Sequence, residues 1–197
     1  MTRFMSDEAQ AFGVDITDSA LRHLMVVGGD FADWERLGHE RWQERVRDLG
    51  AVVAAAGGSW LTLRSYRSGS EAADLSPWTE TIEVVDESGT TSCCTVIVDP
   101  CADGRQRFAE AMAALDPSVE VNETTVATAL YDPADCEPDA VLILGPSTCL
   151  PPSLVWELAY AELVFVDIEW DELATTHVLD AIGDFAGRRR RFGGLDS

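Results

Sequence analysis

The chain has 197 residues, 46% hydrophobic and 25% charged, which suits one globular domain with a sizeable core and leaves little room for a second. Its formal charge of −21 sets a field that repels nucleic acid and anionic lipid, and none of its apolar runs reaches the roughly 20 residues a membrane span needs. The expectation is a protein that binds no nucleic acid and has no membrane span.

The first residues carry Asp7, Glu8 and Asp15 and no apolar stretch, so neither a secretory signal nor an Arg-rich transit peptide is read there. Residues 1–20 are expected to be a loosely held extension of a single domain covering 1–197, in the cytoplasm, free or peripherally at a membrane. Leu24-Met25-Val26-Val27 running into Gly28-Gly29 predicts a buried parallel strand that feeds a tight turn. From Trp34 to Ala56 the apolar positions Leu37, Trp42, Val46, Leu49, Val52 and Val53 recur at helical steps, opposite a polar face of Glu40, Glu44, Arg47 and Asp48. Gly57-Gly58 closes this helix.

Trp60 to Leu63, Ile82 to Val85 and Cys94 to Val98 predict three further strands, with a loop from Ser65 to Ser76. A helix is expected from Gln106 to Leu115, a buried strand over Ala140 to Leu144 ended by Gly145-Pro146, a helix from Leu154 to Glu162, and a strand over Leu163 to Val166. The last helix runs from about Glu172 to Ala186, followed by a tail over 187–197. Strands alternating with helices imply an α/β fold with a central parallel sheet covered on both faces. The five cysteines are odd in number and include no C-x-x-C pair, so free, mostly buried thiols are expected.

Trp156-Glu157-Leu158-Ala159-Tyr160-Ala161-Glu162-Leu163, continuing to Trp170, resembles the segment W-Q-L-A-Y-[AS]-E-L-Y-F-T-D-V-L-W of the cis-prenyltransferase (undecaprenyl diphosphate synthase) family. Arg190-Arg191-Phe192-Gly193-Gly194 resembles its R-R-F-G-G ending, His23 to Val27 its first strand, Gly38-His39 its G-H pair, and Gly104-Arg105 the end of its N-Y-G-G-R. The resemblance implies a homodimer or heterodimer, a parallel sheet with a hydrophobic tunnel, and Mg2+-dependent condensation of isopentenyl diphosphate with an allylic prenyl diphosphate.

Several residues that the family uses are replaced. Its first strand ends in M-D-G-N-G-R-W, whose Asp binds magnesium and whose Arg holds phosphate; the same stretch here is Gly28-Gly29-Asp30-Phe31-Ala32-Asp33-Trp34, with Gly29 for the Asp and Asp33 for the Arg. Where the family has R-T-[SG]-G-E-x-R-x-S, the chain has Ile143, Cys149 and Pro151 in place of both arginines and the serine. Asp30, one position on from the lost Asp, and His39 are the candidate catalytic residues, although a lone helical histidine is also ordinary. Glu162 matches the family's magnesium-contacting glutamate and reads equally as a salt-bridged structural carboxylate. By resemblance, Arg191, Gly193 and Gly194 bind substrate across a dimer interface; four arginines after a helix also satisfy its negative end.

The expected function is a degenerate cis-prenyltransferase homologue acting as the non-catalytic accessory subunit of a heteromeric enzyme that makes polyprenyl diphosphates. The alternatives are a Mg2+-dependent prenyl-diphosphate enzyme with a short product, and a homodimer that binds a prenyl lipid without catalysis.

Overall fold

The computed structural model describes residues 21–67, 77–85 and 89–192, with backbone alone over 189–192. The expectations for residues 1–20, for most of the loop 65–76, and for Gly193 and Gly194 lie outside the described residues. Six strands form one sheet in the order β3-β4-β2-β1-β5-β6: β1 (His23–Val27), β2 (Trp60–Arg64), β3 (Trp78–Val85), β4 (Thr91–Asp99), β5 (Ala140–Leu144) and β6 (Glu162–Val166). Five of them run parallel, forming the central parallel sheet that the sequence pattern predicted, while β3 is antiparallel to β4 at one margin. Only five residues of sequence separate β3 from β4, too few for the crossover a parallel pair needs.

Both faces of the sheet are covered, which is why β5 is apolar at every position and β1 at every position after His23, and both are buried throughout. On one face Leu24, Val26, Leu61, Leu63, Val96 and Leu142 pack beneath α2 (Gly38–Ala55) and α6 (Thr175–Phe192). The other face carries Met25, Val27, Ile97, Val141 and Ile143, packed with Tyr131, Ala134 and Leu154. This second face also holds α3 (Gly104–Ala114) and α4 (Glu123–Tyr131).

The helix expected from Trp34 to Ala56 is two helices. α1 (Phe31–Arg36) starts at Asp30, which caps it in a reciprocal box with Asp33, and the backbone then turns left-handed at Gly38 (φ +71°), so the continuous apolar stripe bridges a break that glycine makes cheap. The helix expected over 154–162 shrinks to one turn, α5 (Glu157–Tyr160). Glu162 must pair opposite Ala140 to start β6, so the chain has already turned extended at Ala161. α4 was not anticipated; Asn122 and Thr125 cap it with a box in which Thr replaces the more familiar Glu. The last helix continues through the arginine run to Phe192, so 187–192 is helical and not a tail, in keeping with the good helix propensity of arginine. Of the five thiols only Cys94 is buried, and Cys93 and Cys149 are exposed.

Candidate functional site

The carboxyl ends of β1, β2, β5 and β6 converge on a cleft of about 200 Å³, the place where an open parallel sheet presents its loops to a ligand. Its walls include Gly29, Asp30 and Asp33 after β1, Tyr66 and Arg67 after β2, Cys149 after β5, and Glu169 and Trp170 after β6. Backbone bonds fix these exits to one another: Gly28 N–H donates to the Arg64 carbonyl at 3.1 Å and Tyr66 N–H to the Gly29 carbonyl at 2.7 Å. The Tyr66 hydroxyl donates to the Cys149 carbonyl at 3.2 Å and holds the loop after β5 against the exit of β2.

Gly29 sits in the left-handed region (φ +64°), and a Cβ built there would lie 2.9 Å from that of Trp170. No side chain enters without displacing that tryptophan, so position 29 is shut to a carboxylate. Asp30 is committed to the N-terminus of α1: it accepts from Asp33 N–H at 2.8 Å, Asp33 accepts from Asp30 N–H at 2.7 Å, and Asp33 also pairs with Arg36. Among the described residues the charged walls of the cleft are three carboxylates, Asp30, Asp33 and Glu169, against the guanidinium of Arg67. That balance disfavours a diphosphate. Ile143, at a family arginine position, is fully buried in β5.

The other candidates lie apart from this cleft. Glu162 is the first residue of β6 and so stands at the amino-terminal margin of the sheet, the end opposite Asp30, where it pairs with Arg188 at 3.2 Å. His39 is exposed on α2 and lines a separate apolar cavity with Trp34, Trp42 and Trp78. Arg191 falls in the last turn of α6. Among the described residues no cluster of three or more His, Cys, Asp or Glu could hold a metal ion. At position 29, where the family has its metal-binding Asp, this chain offers magnesium no carboxylate.

Sequence reasoning missed a buried charge cluster beside the cleft. Arg64 and Asp99 are register partners at the ends of β2 and β4, and Arg64 reaches Asp99 Oδ2 at 3.2 Å and Glu157 Oε1 at 2.6 Å. Arg107 of α3 closes the square, with Nε 3.0 Å from Asp99 and Nη1 3.5 Å from Glu157. Arg64 and Glu157 are each 1% exposed at the side chain. Burial alone would raise the Glu157 carboxyl, but Arg64 and Arg107 outweigh it and hold it below the ordinary range. The one sequence signal was Glu157 standing where the family segment has Gln. A cavity of about 380 Å³, also lined by Ala111, Ala114 and Leu130, opens beside the cluster.

Fold and cleft define an α/β protein whose ligand crevice lies at the carboxyl margin of a parallel sheet. The family described as "Putative undecaprenyl diphosphate synthase" matches residues 78–193, more than half of the chain. The chain is 44% identical to Isoprenyl transferase 1 of Streptomyces coelicolor over 97 residues, 47% of this chain and 34% of the relative. It is 31% identical over 175 residues to the Bifunctional protein CrtB/UppS of the same organism, covering 84% of this chain and 28% of that one. These matches span about a third of the curated relatives' length. A crystal structure of a probable undecaprenyl diphosphate synthase from Campylobacter jejuni superposes with a TM-score of 0.56 at 17% identity, covering 88% of this chain and 98% of the other, and shares its fold. The chain belongs to the cis-prenyltransferase family.

Proposed function

We propose that this chain is a non-catalytic accessory subunit of a heteromeric cis-prenyltransferase that makes polyprenyl diphosphates in the cytoplasm, free or peripherally at a membrane. The observation that carries this reading is the closed position 29: where the family has a metal-binding Asp, the chain has a left-handed glycine wedged against Trp170, in a cleft whose described walls carry three carboxylates and one guanidinium. Magnesium and prenyl diphosphate then belong to the partner's site. Arg191, Gly193 and Gly194 are this chain's contribution to it, and Glu162 serves as the structural partner of Arg188.

Exposed apolar side chains ahead of β6 support a partner there. Leu150, Val155, Leu158 and Tyr160 are each 46–52% exposed within the short stretch that leads into β6, at the sheet margin away from the β3–β4 hairpin. The test is incorporation of radiolabelled isopentenyl diphosphate with Mg2+ by the chain alone, by a catalytic homologue from the same genome alone, and by the mixture. The expected result is turnover in the mixture well above that of the homologue, lost with Arg191→Ala. Turnover by the chain alone would sink the reading and return Asp30 and Glu162 to the chemistry.

A further inference from the structure

Four tryptophans gather at the start of the helical layer. Trp34 and Trp42 lie 5.2 Å apart between ring centroids and inclined by 35°, Trp42 and Trp78 lie 6.5 Å apart at 52°, and Trp170 stacks behind at 5.5 Å from Trp34. Trp34 is anchored by its edge, its Nε1–H donating to the Gly28 carbonyl at 3.0 Å. At the inner end of the array a cation is already in place: the Arg45 guanidinium lies 5.4 Å over the Trp170 ring.

The outer end is open. Phe31, Trp34, Glu35, His39, Trp42 and Trp78 line a cavity of about 320 Å³ whose walls, among the described residues, include one carboxylate and no arginine. Trp78 is 40% exposed at its mouth and Glu35 is exposed. Indole rings carry negative charge density on their faces, Glu35 adds a full negative charge at the cavity wall, and the net −21 of the chain raises the local concentration of cations. A neutral hydrocarbon would gain from the indole surface but nothing from Glu35.

We propose that this cavity binds an organic cation: an ammonium centre bearing methyl or alkyl groups, held against the indoles of Trp42 and Trp78, with Trp34 packed behind them and Glu35 as its counter-ion. The site is separate from the cleft at the carboxyl margin and does not depend on the accessory-subunit reading, so either can fail without the other.

The experiment titrates the full chain with choline and with its neutral carbon isostere, 3,3-dimethylbutan-1-ol, followed by tryptophan fluorescence and calorimetry. Choline is expected to bind about ten-fold or more tightly than the isostere, the ratio that a desolvated cation–π contact supplies. Trp78→Leu, at the exposed mouth where folding is least at risk, is expected to weaken choline binding by a similar factor with an unchanged unfolding midpoint, and Glu35→Gln to weaken it by a smaller one. Equal binding of the isostere would overturn the proposal and make the cavity an apolar groove. Unchanged affinity in Trp78→Leu would also overturn it, because the bulk negative charge alone would then be attracting choline. So would the absence of any binding by choline.

Discussion

His23 is fully buried at the start of β1, where its Nδ1–H donates to the Cys136 carbonyl at 3.0 Å and its Nε2 accepts from the Thr62 hydroxyl at 2.8 Å. Nδ1 faces a carbonyl, which only accepts, so that nitrogen carries the proton and the ring is neutral. Burial lowers its pKa from 6.5 to about 4. The unfolded chain therefore binds this proton at a higher pH than the folded one, and stability is lost as pH falls from about 6.5 toward 4. The loss is of order 3 kcal/mol. Urea midpoints measured between pH 7 and 4.5 should show this slope, flattened in His23→Gln; an unaltered slope would place the effect elsewhere. Glu157→Ala leaves Arg64 and Arg107 facing each other with only Asp99 between them, and an expected cost of about 3–5 kcal/mol should appear in the same measurement. Gly29→Asp, which writes the family's residue back, should destabilise by about 1–2 kcal/mol or more and confer no turnover, because the left-handed backbone and Trp170 both oppose it.

Among the elements, the strands were the most legible, because burial on both faces leaves an unbroken apolar run that only a covered parallel strand explains. Helix limits were less so. A stripe continuous from Leu37 to Val53 says which face is buried and says nothing of a left-handed joint at Gly38, whose place is set by the Asp30–Asp33 cap upstream. Nothing lies within 4 Å of a Cβ built at Gly38, so Gly38→Ala tests the backbone alone. It should cost about 1–2 kcal/mol by chemical denaturation, and a neutral result would mean that α1 and α2 join into one helix without penalty. The α5 turn was misjudged because local periodicity competes there with the register of β6, and the sheet wins.

At the scale of the whole molecule, the resemblance read from Trp156 to Trp170 and from the arginine-rich end identified the family, and the losses at positions 29, 143 and 149 were legible letter by letter. The charge square beneath the cleft and the tryptophan-lined cavity were not, since each joins residues from three or four separate segments that meet only once the sheet has formed. If the face ahead of β6 receives the catalytic partner, Leu158→Asp should abolish co-elution of the mixture in size-exclusion chromatography while leaving the chain's own unfolding midpoint within about 0.5 kcal/mol, as for other exposed positions. Persistent co-elution would move the interface elsewhere.

The two margins of the sheet are unlike. β3 carries Glu80 and Glu83 along the outer strand, and a like-charged copy approaching there meets its own repulsion, whereas the β6 margin is flanked by half-buried Leu163 and Phe165. A sheet barred on one side and receptive on the other accepts a single neighbour, and the union exposes no fresh receptive margin. If the proposed partner joins along β6, the assembly stops at two chains and does not propagate into a fibre.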